Sequence, residues 1–455
     1  MPRGLRELNL IIASVLRKNG STGVHTHVRE LIRFLEFQGF EPTLITPFSW
    51  GGALRYPVFG SRFVIAPVST SHSVMWYRRW HEEFLFRALR ENLSHLDHAV
   101  VYAQGPVEAS AALRARRSPE QRVVMASHYF ASQADEWLSK RQIERNGRAY
   151  DKIRSFEKRV LLEVDALVFV SSAAREALFA WLPEAGKVSS AVIPNFVSPS
   201  PDVERPMPMA DLVTVGGLEV GKNHVYMLEV LASARRNGQV LTLDVYGNGP
   251  CGRMLTETAE LLNVSGQVRF LGFRPDVRDQ LPRYSAYVHT SVVESLPLAV
   301  IEAMAAGLPV VSGRVGGMDE LISDGAEGRF WPLDDPDRAS EILVGLLASG
   351  ESVSMGTAAA ARFRRQFQTD VVAPQLLRFL LGGLHTTAAT ARAVCNPSAG
   401  SSYLENDDRA ATAAQSEEAD HASGGGIPRR RQQPNSPPRP VGPAPTSLGA
   451  ARGTR

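Results

Sequence analysis

Short apolar runs alternate with helical patterns along most of the chain. In the segment 28–38, the apolar residues Val28, Leu31, Ile32 and Leu35 follow the spacing of one helix face. The runs between such helices contain few polar residues, as strands buried on both faces do. In the first half of the chain these runs are LNLIIASVL, EPTLITP, HAVVYA, RVVMAS and DALVFVSS. The alternation predicts an α/β fold with parallel sheets covered by helices.

A proline-rich segment divides this pattern into two parts. Five prolines lie between Pro194 and Pro208, and the segment has little periodicity, which is typical of a linker. The alternation then resumes with the runs DLVTVGG, LTLDVYGNG, QVRFLGF, SAYVHTS and LPVVS. We therefore predict one α/β domain over residues 1–194 and a second over residues 195–384. Residues 385–455 are rich in Ala, Ser, Gly, Pro and Arg, a composition that predicts a disordered tail.

Composition and charge narrow the class of protein. Of the 455 residues, 44% are hydrophobic and 21% charged, as in soluble globular proteins, and a net charge of +3 gives no indication of nucleic-acid binding. Two cysteines, Cys251 and Cys395, are too few for a disulfide framework. The apolar run from Leu8 to Leu16 is typical of a buried strand rather than a signal peptide. No run reaches the ~18–20 apolar residues that span a bilayer, so we expect a cytoplasmic protein.

A carboxylate interrupts the most apolar helix that the sequence predicts. Pro297 and Gly307 are start and stop signals for a helix over residues 298–306, in which Glu302 is the only charged residue. A helix that is apolar all round is buried, and an ionised carboxylate there is costly without a partner. No Lys or Arg lies three or four residues away. Glu302 therefore either pairs with an arginine from elsewhere in the fold or binds a ligand such as the hydroxyls of a ribose.

The start of this helix is a predicted anion site. It follows the strand SAYVHTS, so the backbone N–H groups of Leu298, Ala299 and Val300 lie at the carboxyl end of a strand, where parallel sheets bind ligands. Glu294 lies in the turn between strand and helix and is either a solvated loop residue or a ligand-facing one. Two carboxylates around an anion site suit a nucleotide diphosphate that carries a sugar.

Several motifs around these carboxylates resemble those of one enzyme family. Glu294 and Glu302 are separated by seven residues and followed by AMAAGLPVV, with a Gly-Gly pair shortly before Glu320. Further matching segments are STGVHTHVRELIRFLEFQGFEPTLITP, AVIPNFV, VGGLEVGKNHVYMLEVLA, DVYGNGP and VRFLGFRPDV. Over about residues 8–382 the chain resembles the retaining family 4 glycosyltransferases of the GT-B fold. The resemblance implies two Rossmann-like domains facing across a cleft, with a last helix at about 361–381 that crosses back to the first domain.

The resemblance also implies roles for individual residues. The second domain would hold the nucleotide sugar, with Glu302 on the ribose, Glu294 on the transferred sugar and Lys222 on the diphosphate, helped by the amides of residues 298–300. The first domain would bind most of the acceptor. His128, which follows a strand in VVMASHYF, matches a histidine near the donor sugar and leaving group. The expected catalytic residues are therefore His128, Lys222 and Glu294.

Glycine loops and one arginine complete the expected donor site. Gly23 lies in the loop before the first helix, Gly216 in the loop that leads to Lys222, and Gly247 in the second glycine loop. Arg274 lies in the segment that the family places beside the nucleotide base.

The sequence departs from the family pattern at two positions. Gly217 stands where the family commonly has an arginine, which removes a cation from the diphosphate site, although Lys222 or Arg274 can compensate. A charge-assisted contact of this kind contributes roughly 1.5–3 kcal/mol. Thr22 stands where a first glycine is usual, and since threonine reaches positive φ only at a cost, the loop before Gly23 is expected to differ in shape.

The implied reaction is transfer of a hexosyl group from a nucleotide sugar to a hydroxyl with retention of configuration, in bacterial polysaccharide or glycolipid assembly. The resemblance implies no cofactor, no obligatory metal and no enzyme nucleophile. Lys222 and the helix amides would stabilise the charge on the departing diphosphate. Asp335 and Asp337 have the spacing of a metal motif, but a turn and a helix N-cap explain them better.

Two other functions and one further partner remain open. An NAD-dependent oxidoreductase would use GNGPCG at 247–252 but leaves the two glutamates without a role. A glycosyltransferase-like protein that binds nucleotide sugars without turnover is compatible with Gly217. The segment 75–93 mixes aromatic residues with arginines, so it is either a helix packed on the first domain or one that rests on a membrane beside a lipid-linked acceptor.

Overall fold

The apolar runs of the sequence form the strands of two separate parallel sheets. The computed structural model describes residues 9–15, 22–52, 55–199 and 209–382. The first sheet has the order β2-β1-β3-β4-β5-β6, with strands β1 Leu10–Ala13, β2 Thr43–Ile45, β3 Ala99–Ala103, β4 Gln121–Ser127, β5 Ala166–Phe169 and β6 Ser190–Val192. The second has the order β12-β11-β10-β7-β8-β9, with strands β7 Ala210–Val215, β8 Leu243–Tyr246, β9 Val268–Gly272, β10 Tyr284–His289, β11 Val310–Ser312 and β12 Gly328–Phe330.

Helices connect successive strands in both halves. Those among the strands of the first sheet are α1 Gly23–Phe37, α2 Arg55–Gly60, α3 Arg62–Ile65, α4 Thr70–Leu93, α5 Pro106–Ala115, α6 Gln133–Ser139, α7 Arg148–Glu163 and α8 Ser172–Trp181. Those that follow are α9 His224–Arg236, α10 Gly252–Leu261, α11 Val277–Gln280, α12 Leu298–Ala305, α13 Met318–Leu321, α14 Pro336–Ala348, α15 Glu351–Gln366 and α16 Thr369–Leu381.

Burial on both faces explains why the strands are apolar without alternation. All residues of β1, β3 and β5 are buried, because helices cover each face of the first sheet. All strand pairs in both sheets are parallel. The predicted α/β fold with two Rossmann-like sheets is confirmed.

The last described helix packs on the first sheet rather than the second. Val372, Leu376 and Leu380 of α16 lie in one apolar cluster with residues of β1, β3 and α1. The single helix predicted at about 361–381 is in fact two, α15 and α16. Phe367 and Gln368 separate them, and here Val197 donates its N–H to Phe367 O and accepts from Thr369 N–H, at 3.2 and 3.0 Å.

Part of the predicted linker and the whole predicted tail lie outside the described residues. The linker can be followed to residue 199 and again from residue 209, and residues 385–455 are not described. Within the described ranges, no single helix has the length and hydropathy of a membrane span. One pair, α14 with α15, meets that test jointly but is bent by 91°.

Candidate active site

Glu294 is fixed at the carboxyl edge of the second sheet by two glycines. It lies in the turn between β10 and α12. A Cβ atom at Gly316 would lie 1.7 Å from Glu294 O, and one at Gly317 would lie 2.1 Å from Ser295 O. Gly316 also has a left-handed φ of +53°, which glycine adopts without strain. The Gly-Gly pair of the sequence therefore lets the loop after β11 lie directly against the Glu294 turn.

Lys222 and Glu294 form a close ion pair at this edge. Lys222 Nζ lies 2.6 Å from Glu294 Oε1, and His289 Nε2 lies 3.2 Å from the same oxygen. Burial opposes ionisation of Glu294, but the charge of Lys222 and the contact with His289 outweigh it and hold the pKa of this carboxyl well below its usual range. Thr290 Oγ1 donates to Lys222 O at 2.8 Å and fixes the loop that carries the lysine. Glu294 is thus ionised near neutral pH.

Two glycine loops meet backbone to backbone beside Lys222. A Cβ atom at Gly247 would lie 1.9 Å from Gly216 O, and Gly247 has a φ of +137°. The stem of Lys222 crosses over Gly216, where a Cβ atom would lie 3.9 Å from Lys222 Cε. Gly247 therefore makes the close approach of these loops possible, whereas a Cβ atom at Gly216 would fit at an ordinary contact distance. Gly217 is not in the left-handed region, and a Cβ atom there would meet its nearest neighbour, Glu219 Cγ, at 3.6 Å.

The N-terminus of α12 offers two free amides rather than three. Val300 N–H donates to Pro297 O at 3.2 Å. The N–H groups of Leu298 and Ala299 have no acceptor among the residues that the structure describes. These two N–H groups and the helix dipole give the start of α12 a partial positive charge that suits an anion.

Glu302 lies one turn further along α12. Its side chain is buried, with the residue 9% exposed. No hydrogen bond or ion pair joins its carboxylate to any residue within the described ranges. Burial raises the pKa of Glu302. The positive charges of Arg278 and Arg29 oppose this rise, and the negative charge of Glu30 adds to it. Glu302 therefore retains its full capacity to accept hydrogen bonds from a ligand.

The first domain meets α12 through the start of α1. A Cβ atom at Gly23 would lie 3.5 Å from Leu298 Cδ1, so the N-termini of the two helices approach each other across the domains. Thr22 has a φ of −94°, so threonine fits without strain and the expected difference in loop shape at this residue is not required. Thr22 Oγ1 lies 2.8 Å from His25 Nδ1.

His128 follows β4 and is held by a residue that the sequence analysis missed. His128 Nε2 lies 3.0 Å from Gln104 Oε1 in the turn after β3. Burial lowers the pKa of His128 to about 4, so the ring is neutral near pH 7. The ring of His27 packs at 5.0 Å from that of His128 and at 5.1 Å from that of Phe196. A polar residue directly after a strand was the only signal for Gln104 in the sequence.

Arg274 has an exposed side chain that pairs with a nearby aspartate. Its Nε is 3.3 Å from Asp276 Oδ1, and its side chain is largely exposed beside the exposed ring of Phe273. No contact joins it to Lys222 or Glu294 within the described part of the chain. Within the described residues, Arg274 therefore takes no part in the ion pair of Lys222 and Glu294.

Two carboxylates that link the domains were also missed. Glu30 on α1 is fully buried and pairs with Arg278 of the second domain, Oε1 to Nη1, at 3.2 Å, and its other oxygen accepts from Ser198 N–H at 2.8 Å. Glu320 of the second domain accepts the N–H groups of Ser172 and Ala173 at the start of α8, both at 2.9 Å. Each pairing joins residues far apart in the chain, which no local pattern reveals.

The aspartates with metal-motif spacing have structural partners. Asp335 accepts Arg338 N–H at 2.9 Å as the N-cap of α14, as predicted. Asp337 lies 2.7 Å from Arg236 and accepts from Ser233 Oγ at 2.5 Å. Across the described residues, His, Cys, Asp and Glu side chains do not gather in groups of three or more that would hold a metal ion.

Two family models match adjoining parts of the chain. Residues 21–200 match the model described as "Glycosyltransferase Family 4", and residues 201–362 match "Glycosyl transferases group 1". Among curated proteins, the chain is similar to phosphatidyl-myo-inositol mannosyltransferase of Mycolicibacterium smegmatis, with 23% identity over 78% of this chain and 89% of that protein. It is also 26% identical to a GDP-mannose-dependent alpha-(1-6)-phosphatidylinositol monomannoside mannosyltransferase of Mycobacterium tuberculosis, over 50% of this chain and 65% of that protein.

A human relative matches a shorter segment. One component of the phosphatidylinositol N-acetylglucosaminyltransferase of Homo sapiens is 32% identical over 29% of this chain and 28% of that protein. The chain thus spans less than two thirds of the length of the human and M. tuberculosis relatives.

Solved structures share the fold at low sequence identity. Sucrose-phosphate synthase from Thermosynechococcus elongatus has a TM-score of 0.64 and 16% identity, over 82% of this chain and 99% of that one. Anabaena HepE in complex with UDP and glucose has a TM-score of 0.58 and 18% identity, over 83% of this chain and 100% of that one. Since the two family models together match residues 21–362 and the paired sheets form the same fold, the chain belongs to the family 4 glycosyltransferases of the GT-B type.

Proposed function

We propose that the protein is a retaining glycosyltransferase that transfers a hexosyl group from a nucleotide-diphosphate sugar to a hydroxyl of a carbohydrate or lipid-linked acceptor. One observation carries this proposal. Lys222, Glu294 and the free amides of α12 converge at the carboxyl edge of the second sheet, with the unpartnered Glu302 one turn behind them. Glu302 complements the ribose hydroxyls of a nucleotide-diphosphate sugar, Lys222 and the amides complement its diphosphate, and Glu294 complements its hexose.

Each group has a role in this proposal. The Glu302 carboxylate accepts the ribose hydroxyls, while Lys222 and the amides of Leu298 and Ala299 bind the diphosphate. Glu294, released from Lys222 by the incoming anion, accepts hydroxyls of the hexose. As the bond from the anomeric carbon to the diphosphate breaks, Lys222 and the dipole of α12 stabilise the negative charge that develops on the departing oxygen.

His128 acts in this scheme as a neutral hydrogen-bonding group. Because burial lowers its pKa to about 4, it brings no positive charge to the sugar ring near pH 7. Its contact with Gln104 orients the imidazole. In the proposed reaction it positions the transferred sugar or the acceptor hydroxyl.

The acceptor is expected on the first domain, at the membrane surface. The mycobacterial relatives are named as a phosphatidyl-myo-inositol mannosyltransferase and a phosphatidylinositol monomannoside mannosyltransferase. A peripheral position on the inner face of the membrane, in glycolipid or polysaccharide assembly, fits the proposal.

A thermal-shift screen against UDP-, GDP- and ADP-sugars tests donor binding. A ligand at ten times its dissociation constant stabilises the protein by about 1.4 kcal/mol. We expect one nucleotide to raise the melting temperature and Glu302→Ala to abolish that shift. Glu260→Ala, on the exposed face of α10, is the matched control and should keep it. Absence of a shift with all three nucleotides contradicts the donor site.

Turnover separates an enzyme from a protein that only binds nucleotide sugars, the alternative with which Gly217 is compatible. We expect nucleotide release from the stabilising donor in the wild-type protein and its loss in Lys222→Ala. Binding without any release, with every candidate acceptor present, assigns the protein to the second class.

A further inference from the structure

The first domain contains a large cavity away from the Lys222–Glu294 pair. It has a volume of about 880 Å³ and lies among α3, α4, α5 and α7. Most of its lining is apolar, with Ile65, Met75, Trp76, Val107, Ile153 and Phe156 among the lining residues. The apolar lining continues to the solvent through Val64 and Val68, which are 74% and 86% exposed. A cavity of this size and character fits a hydrocarbon chain rather than a sugar.

Cations mark one part of this cavity. Arg78, Arg79 and Lys152 line it, and Glu82 is the one acidic residue among the described residues of its wall. Glu82 is itself engaged by Arg114 at 3.0 Å and by Ser110 at 2.8 Å. The charge that remains for a ligand is positive, so a ligand with an anionic head is complementary.

Arg78 provides a second and independent sign of a ligand. It is buried, and while Nη1 donates to Gln133, Nη2 has no hydrogen-bond acceptor among the described residues. A buried guanidinium N–H without a partner is costly. Two buried carboxyls, Glu108 and Glu157, lie near Arg78, but burial raises the pKa of both, that of Glu157 to about 7. Glu157 is therefore only partly ionised near neutral pH and offsets the charge of Arg78 only in part.

The cavity adjoins the residues proposed to meet the acceptor. Val107, in its wall, lies in the first turn of α5, three residues after the Gln104 that contacts His128. Gln133, the acceptor for Arg78, begins α6 shortly after His128. A head group held by the cations thus lies on the side of the domain that carries His128.

We propose that this cavity binds the hydrocarbon chain of a lipid-linked acceptor, with the acceptor's phosphate held by Arg78, Arg79 and Lys152. The inference rests on the proposed function, since it names the acceptor class for the same reaction. The segment from Val64 to Val68 forms the apolar mouth through which the chain enters from the membrane.

Binding of dodecyl phosphate to the full chain, measured by titration calorimetry below the micellar concentration, tests the proposal. We expect saturable binding, at least tenfold weaker binding of the uncharged dodecyl maltoside, and no saturable binding of inorganic phosphate. Equal affinity for the two detergents would overturn the head-group site.

Two matched pairs of variants locate the binding site. Met75→Trp fills the cavity and should weaken dodecyl phosphate binding at least tenfold, whereas Met254→Trp, on exposed α10, should leave it unchanged. Arg79→Gln should weaken it several-fold, whereas Arg90→Gln on the same helix should not. Wild-type binding by both Met75→Trp and Arg79→Gln refutes the proposal.

Nucleotide thermal shifts in the same samples test the donor site separately from the lipid cavity. A retained shift in Met75→Trp shows that the variant is folded, so its loss of dodecyl phosphate binding reports the cavity. A nucleotide shift without detergent binding refutes the lipid cavity and leaves the proposed donor site intact. Binding of dodecyl phosphate without any nucleotide shift refutes the proposed donor site and leaves the lipid cavity intact.

Discussion

Two glutamates eight residues apart experience opposite electrostatic environments. Glu294 is ion-paired with Lys222 and has a lowered pKa, whereas Glu302 is buried without a partner among the described residues and has a raised one. Ionisation of Glu294 therefore stabilises the folded protein, and ionisation of Glu302 destabilises it. The first carboxylate contributes to the resting structure and the second is maintained at a cost in stability.

Substituting each glutamate by glutamine should change stability in opposite directions. At pH 7.5 without ligand, we expect Glu302→Gln to raise the free energy of unfolding by about 1 kcal/mol, because it removes a carboxyl whose ionisation burial disfavours. Glu294→Gln should lower it by about 1–3 kcal/mol, because Lys222 loses its partner. Urea unfolding measures both values.

The pH dependence provides the control. The unfavourable effect of Glu302 on folding develops as pH rises from the unfolded pKa, about 4.3, towards the raised folded pKa. The increase in the free energy of unfolding in Glu302→Gln should therefore be smaller at pH 4. The contribution of Glu294 is present above the unfolded pKa and is lost as pH falls through the lowered one. A gain in Glu302→Gln that is equally large at pH 4 and 7.5 contradicts the charge explanation.

Gly217 offers a test by gain of affinity. Its backbone is not left-handed, and the space around it admits a side chain. An added guanidinium in the loop that leads to Lys222 should strengthen binding of the donor diphosphate by about 1.5 kcal/mol, roughly tenfold. We therefore expect Gly217→Arg to lower the dissociation constant for the stabilising nucleotide, measured by calorimetry.

Gly266→Arg is the control for a general effect of charge, because it adds the same cation at an open position beside β9. Equal gains in the two variants would mean that net charge, rather than a contact with the diphosphate, improves binding.

At the scale of elements, α12 was predicted almost to the residue and the last helices were not. Pro297 and Gly307 mark the two ends of an apolar segment that is buried in the fold, so the local signals and the tertiary packing both favour this helix. The break between α15 and α16 arises because Val197 pairs with the chain at residues 367–369. That pairing joins distant parts of the sequence and leaves no periodic signal.

The start of α8 depends on a residue from the other domain. Its first free N–H groups, those of Ser172 and Ala173, are bound by Glu320. A carboxylate in this position compensates the helix dipole and caps two donors, worth about 1–2 kcal/mol. We expect Glu320→Gln to lower the melting temperature and to increase hydrogen exchange at the start of α8.

Asp319→Asn is the matched control, since Asp319 precedes Glu320 on α13 and pairs with the exposed Arg314 at 2.8 Å. Exposed pairs contribute little, so this variant should resemble the wild type. Equal destabilisation by both variants contradicts a specific role of Glu320 at α8.

At the scale of the whole molecule, Glu30 joins four parts of the chain. Its carboxylate binds Arg278 of the second domain, Ser198 of the linker and, at 3.4 Å, Thr369 Oγ1 of α16, while Glu30 itself belongs to α1. Such a buried network is destabilised when one charge is removed, by about 3–5 kcal/mol. Helical spacing predicted α1, but its role in joining the domains became visible only from the assembled fold.

We expect Glu30→Gln to loosen the arrangement of the domains. Small-angle scattering should show a larger radius of gyration without ligand, and nucleotide should reduce it. Glu36→Gln, at an exposed position of the same helix, should scatter as the wild type does. Unchanged scattering and stability in Glu30→Gln would mean that apolar packing alone fixes the domains.

The position of α16 determines whether the two fragments stay together when the chain is cleaved once in the linker. Because α16 packs against both α1 and β3 of the first domain, a protease nick in the linker should leave both fragments in one particle. The nicked protein should elute in gel filtration at the volume of the intact one, and only denaturation should separate its halves. Each fragment produced alone would expose apolar surface that the other normally covers, so the two halves are expected to be recovered in soluble form only when they are synthesised together.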